Sequence, residues 1–287
     1  MQLCFQVAPG QAGRLLGECL RAWGLSATLI KHIKQETGGF FAGQQAIRTC
    51  DRVAAGQRIC FMLPPEPPTT VEPEPIDFAI AYESRHVLVA EKPAGMAVHP
   101  TLNYKNATLA NAYMGLLQSR GETGVFRPVN RIDVGTSGLV LCAKNAYAAP
   151  LLAQSAQKLY RAVVEGAPPQ PSGCIEAPID RAPGSIILRC VSPKGKPSRT
   201  EYAVEAATGA HSLVAAVPVT GRTHQLRVHF AHVGCPLAGD ELYGGHRGLI
   251  DRHALHCARL CFTEPGGEGQ VTVESPLPAD MRALLDL

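Results

Sequence analysis

Apolar residues follow two different spacings within the first 63 residues of the chain. Weak alternation of apolar and polar side chains at the N-terminus predicts a short strand, and apolar residues at helical spacing then predict a helix. A second short helix is predicted from Ser26, a good N-cap residue, and glycines follow it. The predicted elements are a strand at 2–8, helices at 12–23 and 26–33, and strands at 40–44 and 53–61. This segment is therefore predicted to be a small α/β unit.

From residue 76 onward, short apolar runs dominate and helical periods are few. Strands that are grouped in runs, with few helices between them, are typical of an α+β domain. The predicted strands are 79–82, 86–90, 96–100, 139–143, 158–164, 186–191, 199–206 and 212–219, and the predicted helices are 108–118, 145–157 and 223–233. We expect a largely antiparallel sheet with flanking helices.

The segment between these two units is rich in proline. Residues 64–75 hold six prolines and three glutamates, a composition that favours an extended, semi-rigid spacer. We therefore predict three parts, with a small unit at 1–63, a linker at 64–75 and a larger domain at 76–287.

Composition and charge narrow the class of protein. The chain is 46% hydrophobic with a net charge of +3, which indicates a globular protein and argues against bulk disorder. Residues 1–63 carry seven basic and three acidic residues, so the basic excess is strongest there. The ten cysteines form no CxxC pair, and no 18-residue apolar run occurs. We expect reduced thiols, a cytoplasmic location and no contact with a membrane.

The stretch NRIDVGTSGLVLCAKN, residues 130–145, places a carboxylate at the start of a buried strand. Asp133 is followed by four turn-favouring residues and then by an apolar run, so it lies on a tight loop at the mouth of a sheet. A carboxylate that lies near an arginine at such a place is either a structural ion pair or a catalytic group. The pattern alone leaves both interpretations open.

A second dense motif, GRTHQLRVHF, begins at Gly221. Thr223 is predicted to cap a helix in which Leu226 and Phe230 share the apolar face. Arg222 then lies where a strand ends and a helix begins. Asp133 likewise lies next to the end of a strand. Because such junctions gather at one rim of a sheet, we expect Arg222 to reach Asp133 and to keep that carboxylate ionised.

These motifs together resemble those of the RluA-type pseudouridine synthases. NRIDVGTSG is similar to the family's catalytic motif, with Asn130 where many members have histidine, and KLYRAVVEG at 158–166 is similar to its second motif. Residues 221–245 are similar to the third, and 92–100 and 255–265 match flanking signatures. Residues 1–63 resemble the small alpha-L RNA-binding fold of the ribosomal-protein S-four type.

The resemblance implies a reaction and a set of roles. A uridine in structured RNA is extruded and isomerised to pseudouridine without a cofactor. Asp133 would act as nucleophile or base, Arg222 would orient it, and Tyr160 would stack on the flipped uracil, with Leu226 beside it in the pocket. The expected RNA-binding residues are Arg131, Arg227, Lys92, Lys31 and Lys34.

Partners and alternatives follow from the same resemblance. We expect ribosomal RNA as the substrate, with transfer RNA as the alternative, and a monomeric enzyme. Histidines and cysteines cluster between residues 211 and 257, but without CxxC or HExxH spacing they predict no metal site. The competing hypotheses are a catalytically inactive RNA-binding protein that retains the fold and a metal-dependent hydrolase.

Overall fold

A computed structural model describes residues 1–267 and 269–285 of the chain. Within the first unit a four-stranded antiparallel sheet, in the order β1-β4-β2-β3, packs against two helices. Its elements are β1 Gln2–Gln6, α1 Leu16–Ala22, α2 Ala27–Glu36, β2 Phe40–Ala42, β3 Gln45–Ile47 and β4 Arg58–Met62. Ser26 caps α2 by accepting a hydrogen bond from the backbone N–H of Leu29 at 3.1 Å.

The first unit has an internal disulfide and a core that extends onto the second part of the chain. Cys4 and Cys60, which face each other across β1 and β4, form a disulfide, so the expectation of reduced thiols is wrong for this pair. The small core of the unit extends onto the second part of the chain, because Tyr147 packs edge-on against Phe5 with 5.8 Å between ring centroids. Gly24 lies so close to Leu151 that a Cβ would overlap it. The first unit is therefore docked on the rest of the molecule.

Residues 63–78 contain no helix or strand and run along the second unit. Glu66 forms an ion pair with Arg127, and the backbone N–H of Glu74 donates to the carbonyl of Asn111 at 3.1 Å. The side-chain amide of Asn111 donates to the carbonyl of Glu72 at 2.8 Å. These contacts hold the proline-rich segment against the second unit. A spacer that was free in solution would make no such contacts.

The second unit is built on a nine-stranded sheet in the order β5-β6-β7-β14-β8-β13-β12-β9, with β15 paired to β14. Its strands are β5 Ala79–Glu83, β6 Val87–Lys92, β7 Ser137–Ala143, β8 Gln157–Glu165, β9 Ser172–Glu176, β12 Arg199–Ala207, β13 His211–Pro218, β14 Leu255–Thr263 and β15 Gln270–Glu274, and β10 Ile179–Arg181 pairs with β11 Arg189–Val191 as a separate hairpin. The helices are α3 Leu109–Ser119, α4 Ala148–Ser155, α5 Gln225–His232 and α6 Ala279–Ala283. Only the β7–β14 pair of this sheet is parallel among the described residues, which confirms the predicted α+β fold.

β7 is an interior strand of the sheet, and all seven of its residues are buried. It pairs with β6 on one side. On the other side it pairs with β14 at Ser137 and Gly138, and Val129 and the side chain of Asn130 bond to its later residues. The loop that carries Asp133 runs directly into this strand. The loop of Asp133 is therefore anchored to a fully buried strand.

The predicted strand at 96–100 is wrong. The carbonyls of Ala97 and Val98 accept hydrogen bonds from the backbone N–H groups of Leu109 and Ala110, at 2.9 and 3.1 Å, and so cap the start of α3. The carbonyls of this segment accept hydrogen bonds from the first N–H groups of α3, and residues 96–100 form no strand. In the described ranges, no helix is both long and apolar enough to cross a membrane.

Candidate active site

The loop before β7 is held by the side chain of Asn130. Its amide nitrogen donates to the carbonyl of Leu139 at 3.1 Å, and its amide oxygen accepts from the N–H of Leu141 at 2.7 Å. The amide thus pairs with the strand as a neighbouring backbone would. Further along the loop, the N–H of Thr136 closes a turn onto the carbonyl of Asp133 at 3.0 Å. The position where the resemblance led us to expect histidine therefore fixes the loop of the aspartate.

Asp133 lies beside the guanidinium of Arg227. Nη1 of Arg227 is 3.3 Å from Oδ2 of Asp133, and its Nε and Nη2 each donate to the carboxylate of Asp240 at 2.7 Å. The side chain of Asp133 is 29% exposed, whereas those of Arg227 and Asp240 are 8% and 1% exposed. One buried cation therefore serves two carboxylates, and only one of them reaches the open surface to any extent.

Arg227 stays charged despite its burial. Burial alone would lower its pKa, but hydrogen bonding and charge from Asp240, together with the charge of Asp133, outweigh burial and raise the pKa above its ordinary value. The expectation that Arg227 binds RNA phosphate is wrong, because its guanidinium is buried and occupied by these two carboxylates.

The predicted ion pair between Arg222 and Asp133 is also wrong. Arg222 is exposed, and its Nε and Nη2 both donate to the carbonyl of Pro197 at 3.2 Å. The helix begins later than predicted, at Gln225, and the residue that precedes it is His224, so Thr223 is not the cap. This start turns the side chain of Arg227, and not that of Arg222, toward Asp133.

Tyr160 is buried on β8 within the main apolar core, in the same cluster as Leu226. Burial, reinforced by Cys257 and by the charge of Asp133, raises its pKa well above the ordinary value. Tyr160 is therefore a neutral phenol in the folded protein.

His224 and Tyr243 complete the site, and neither was singled out by the sequence. Nδ1 of His224 lies 2.7 Å from the hydroxyl of Tyr243, and its Nε2 lies 3.9 Å from Oδ2 of Asp133. The guanidinium of Arg227 lies over the ring of Tyr243, 5.0 Å from its centroid. Both residues and Asp240 belong to the block 221–245 whose resemblance was noted, so the motif identified the region although it did not identify the contacts.

Lys92 does not serve as an RNA-binding residue on the surface. Its side chain is buried, and Nζ donates to the carbonyls of Pro93 and Met96 at 2.7 Å each and of Val134 at 3.2 Å. Burial lowers its pKa to about 7, partly opposed by Asp133. Lys92 ties the end of β6 to the residue that follows Asp133, which is a structural task.

The remaining predicted RNA-binding residues lie on the surface. Arg131 is exposed on the loop of Asp133, and Lys31 and Lys34 are exposed on α2. Both ring nitrogens of His229 are hydrogen bonded, to Thr200 at 2.9 Å and to the carbonyl of Ala177 at 3.0 Å. No group of three or more His, Cys, Asp or Glu residues converges as for a metal ion within 1–267 and 269–285.

The site thus combines a partly exposed aspartate before β7, the buried arginine that contacts it and a buried tyrosine on β8. A sequence model of the family described as RNA pseudouridylate synthase matches residues 86–232. The chain belongs to this family, which confirms the predicted RluA-type membership, and it is an isomerase that acts on uridine in RNA.

Relatives match most of the chain. An RNA pseudouridine synthase of Bacillus subtilis, YjbO, is 36% identical over 91% of this chain and 95% of its own length. Ribosomal large subunit pseudouridine synthase D of Neisseria meningitidis serogroup B is 32% identical, over 98% of this chain and 79% of its own. The solved structure of human RNA pseudouridylate synthase domain containing 1 matches 73% of this chain and 86% of its own, at 28% identity and a TM-score of 0.57.

Proposed function

We propose that this enzyme isomerises uridine in the RNA of the large ribosomal subunit and that Asp133 is its reacting group. The observation that carries the assignment of Asp133 is the asymmetry of the two carboxylates on Arg227. Asp240 is buried and accepts two short hydrogen bonds from Arg227, whereas Asp133 has one longer hydrogen bond and is partly exposed. Only Asp133 is available to a substrate.

The reaction breaks the bond between N1 of uracil and C1′ of ribose and forms a bond between C5 and C1′. The hydrogen on C5 leaves as a proton, and N1 gains one. In this proposal Asp133 attacks the ribose as a nucleophile or removes a proton as a base, and Arg227 orients it. Tyr160, a neutral phenol, stacks on the extruded uracil with Leu226 beside it, and the exposed Arg131 faces the RNA.

The choice of ribosomal RNA rests on the Neisseria relative, whose match extends over 98% of the chain and thus includes the first unit. That unit carries Lys31 and Lys34 on the exposed side of α2, where they can contact phosphates. The proposal includes a monomeric enzyme in the cytoplasm, with residues 1–63 as an alpha-L type RNA-binding domain, 64–75 as the connection and 76–287 as the catalytic domain.

Two measurements test the proposal. Release of tritium from RNA labelled at C5 of uridine should occur with the wild type and with Asp77→Asn, an exposed aspartate used as the control. Asp133→Asn should abolish release while RNA affinity changes little. Release by Asp133→Asn would refute its role, and no release by the wild type on any cellular RNA would favour the inactive RNA-binding alternative.

Pseudouridine mapping in a strain that lacks this protein tests the substrate. Loss of a site in large-subunit ribosomal RNA is expected. If only sites in transfer RNA disappear, the assignment of the substrate is wrong although the enzyme class stands.

A further inference from the structure

His224 has a backbone conformation that few residues other than glycine adopt. Its φ is 57°, and Ala107 is the other non-glycine residue with positive φ in the described ranges. Such conformations persist only where the surroundings hold them, and they concentrate at functional sites. At His224 the conformation starts α5 and turns the imidazole toward Asp133, since Nε2 is 3.9 Å from Oδ2.

We assign the tautomer of this imidazole from the hydrogen bonds of Tyr243. The hydroxyl of Tyr243 accepts a hydrogen bond from the backbone N–H of Arg189 at 3.1 Å. Its own proton is then directed at Nδ1 of His224, 2.7 Å away. Burial lowers the pKa of His224, against an opposing effect of Asp133, so the ring is neutral near pH 7. A neutral ring that accepts at Nδ1 carries its hydrogen on Nε2.

The Nε2–H group therefore points to the side of Asp133, and within residues 1–267 and 269–285 it has no partner at hydrogen-bond distance. The separation of 3.9 Å is too long for a direct hydrogen bond. It is shorter than two hydrogen bonds of roughly 2.8 Å placed end to end, so one oxygen can contact both groups. That oxygen must accept from Nε2–H and donate to a carboxylate, and a hydroxyl group does both.

We propose that His224 recognises the 2′-hydroxyl of the target ribose, which accepts from Nε2–H and donates to Asp133. The inference rests on the proposed function, because it requires the target ribose to lie at Asp133. Of the groups that distinguish RNA from DNA, the 2′-hydroxyl is the one that can both donate and accept. His224 is in this view a specificity-determining residue, and Tyr243 is a positioning residue that acts through it.

The test uses an RNA oligonucleotide that contains the mapped target uridine, and a second one with 2′-deoxyuridine at that single position. The wild type should lose kcat/KM on the deoxy substrate. In His224→Gly, which keeps the left-handed backbone and removes the imidazole, this loss should be roughly tenfold smaller, the effect of one hydrogen bond. Tyr243→Phe, which keeps the ring but removes the hydroxyl, should reduce the loss by a smaller factor.

Controls separate this inference from the proposed function. His232→Gly, at an exposed histidine at the end of the same helix, should discriminate as the wild type does. Equal losses on the deoxy substrate in the wild type and in His224→Gly would refute the role of His224 while leaving the proposed function intact. A folded wild type that fails to convert the ribouridine would refute the proposed function, and the inference with it.

Discussion

Replacement of Asp240 by asparagine should destabilise the protein far more than the same replacement of Asp133. Asp240 is 1% exposed and accepts two hydrogen bonds of 2.7 Å from Arg227, whose side chain is 8% exposed. Removing one partner of a buried ion pair costs about 3–5 kcal/mol, and the remaining contact of Arg227 with Asp133 places this case toward the lower end of that range. Asp133, at 29% exposure and 3.3 Å, contributes as a partly exposed pair does, at most about 1 kcal/mol.

Urea unfolding followed by circular dichroism measures both costs. A double-mutant cycle with Arg227→Met isolates the pair, because the charge of Asp240 is itself left unpaired when the cation is removed. The double variant Asp240→Asn/Arg227→Met should be more stable than the sum of the single losses predicts, by roughly 1–3 kcal/mol. Loss of activity should not follow loss of stability, because Asp133→Asn is expected to lose turnover with little change in its unfolding free energy.

A small loss of unfolding free energy in Asp240→Asn would contradict the structural role of Asp240. If the free energy of unfolding of Asp240→Asn lies within about 1 kcal/mol of the wild-type value, the buried pair is not a determinant of stability. If the cycle shows simple additivity, Asp240 and Arg227 do not interact as the distances imply. If Asp133→Asn is the more destabilising of the two, the division into a structural and a reacting carboxylate is wrong.

Three further predictions concern the other residues of the site and surface. Arg222→Ala should change kcat less than threefold, with any loss appearing in KM for RNA, because among the described residues its guanidinium donates only to the carbonyl of Pro197. A large loss of kcat in single-turnover assays would contradict this. Lys31→Glu with Lys34→Glu should weaken RNA binding and flatten its salt dependence, and an unchanged Kd would exclude α2 from the interface. Burial lowers the pKa of His253 from 6.5 to about 4. The stability that the neutral ring contributes is therefore fully present above pH 6.5, and about 3 kcal/mol of it is lost as the pH falls toward 4, because the unfolded chain binds the proton first. His253→Gln should flatten this pH dependence in urea titrations whereas His232→Gln should not, and an unaltered slope would contradict the assignment.

The sequence predicted the strands that bury a regular apolar pattern and missed those that do not. β7 was predicted because its apolar run follows turn residues directly. β9 buries one residue of five, so its sequence carries no period to detect. β14 is buried but contains His256, whose Nδ1 pairs with the hydroxyl of Ser137 at 2.9 Å. A polar residue whose partner lies more than a hundred residues away interrupts the local pattern, and only the tertiary structure supplies the partner.

The same reason explains the error at Arg222. Asp133 and the motif that begins at Gly221 were expected at one rim, and the structure does bring them together. The choice between Arg222 and Arg227, however, depends on the residue at which α5 begins. A start at Gln225 after a left-handed His224 rotates the helix relative to a start at Thr223, and propensity for capping favoured the threonine. Backbone conformation of this kind is set by the contacts of His224 with Tyr243, which the local sequence does not reveal.

Arg227 has to meet two requirements that conflict in a simple ion pair. A carboxylate that reacts must be charged and fixed, yet a tight bidentate pair with arginine would occupy both of its oxygens. Here the bidentate contact belongs to Asp240, which fixes the guanidinium so that a single nitrogen faces Asp133. The guanidinium of Arg227 also lies over the ring of Tyr243, and Tyr243 orients His224. The two basic side chains beside Asp133 therefore both depend on the buried position of Arg227. Asp133 can therefore remain accessible to a substrate while the guanidinium that orients it is held by the buried carboxylate of Asp240.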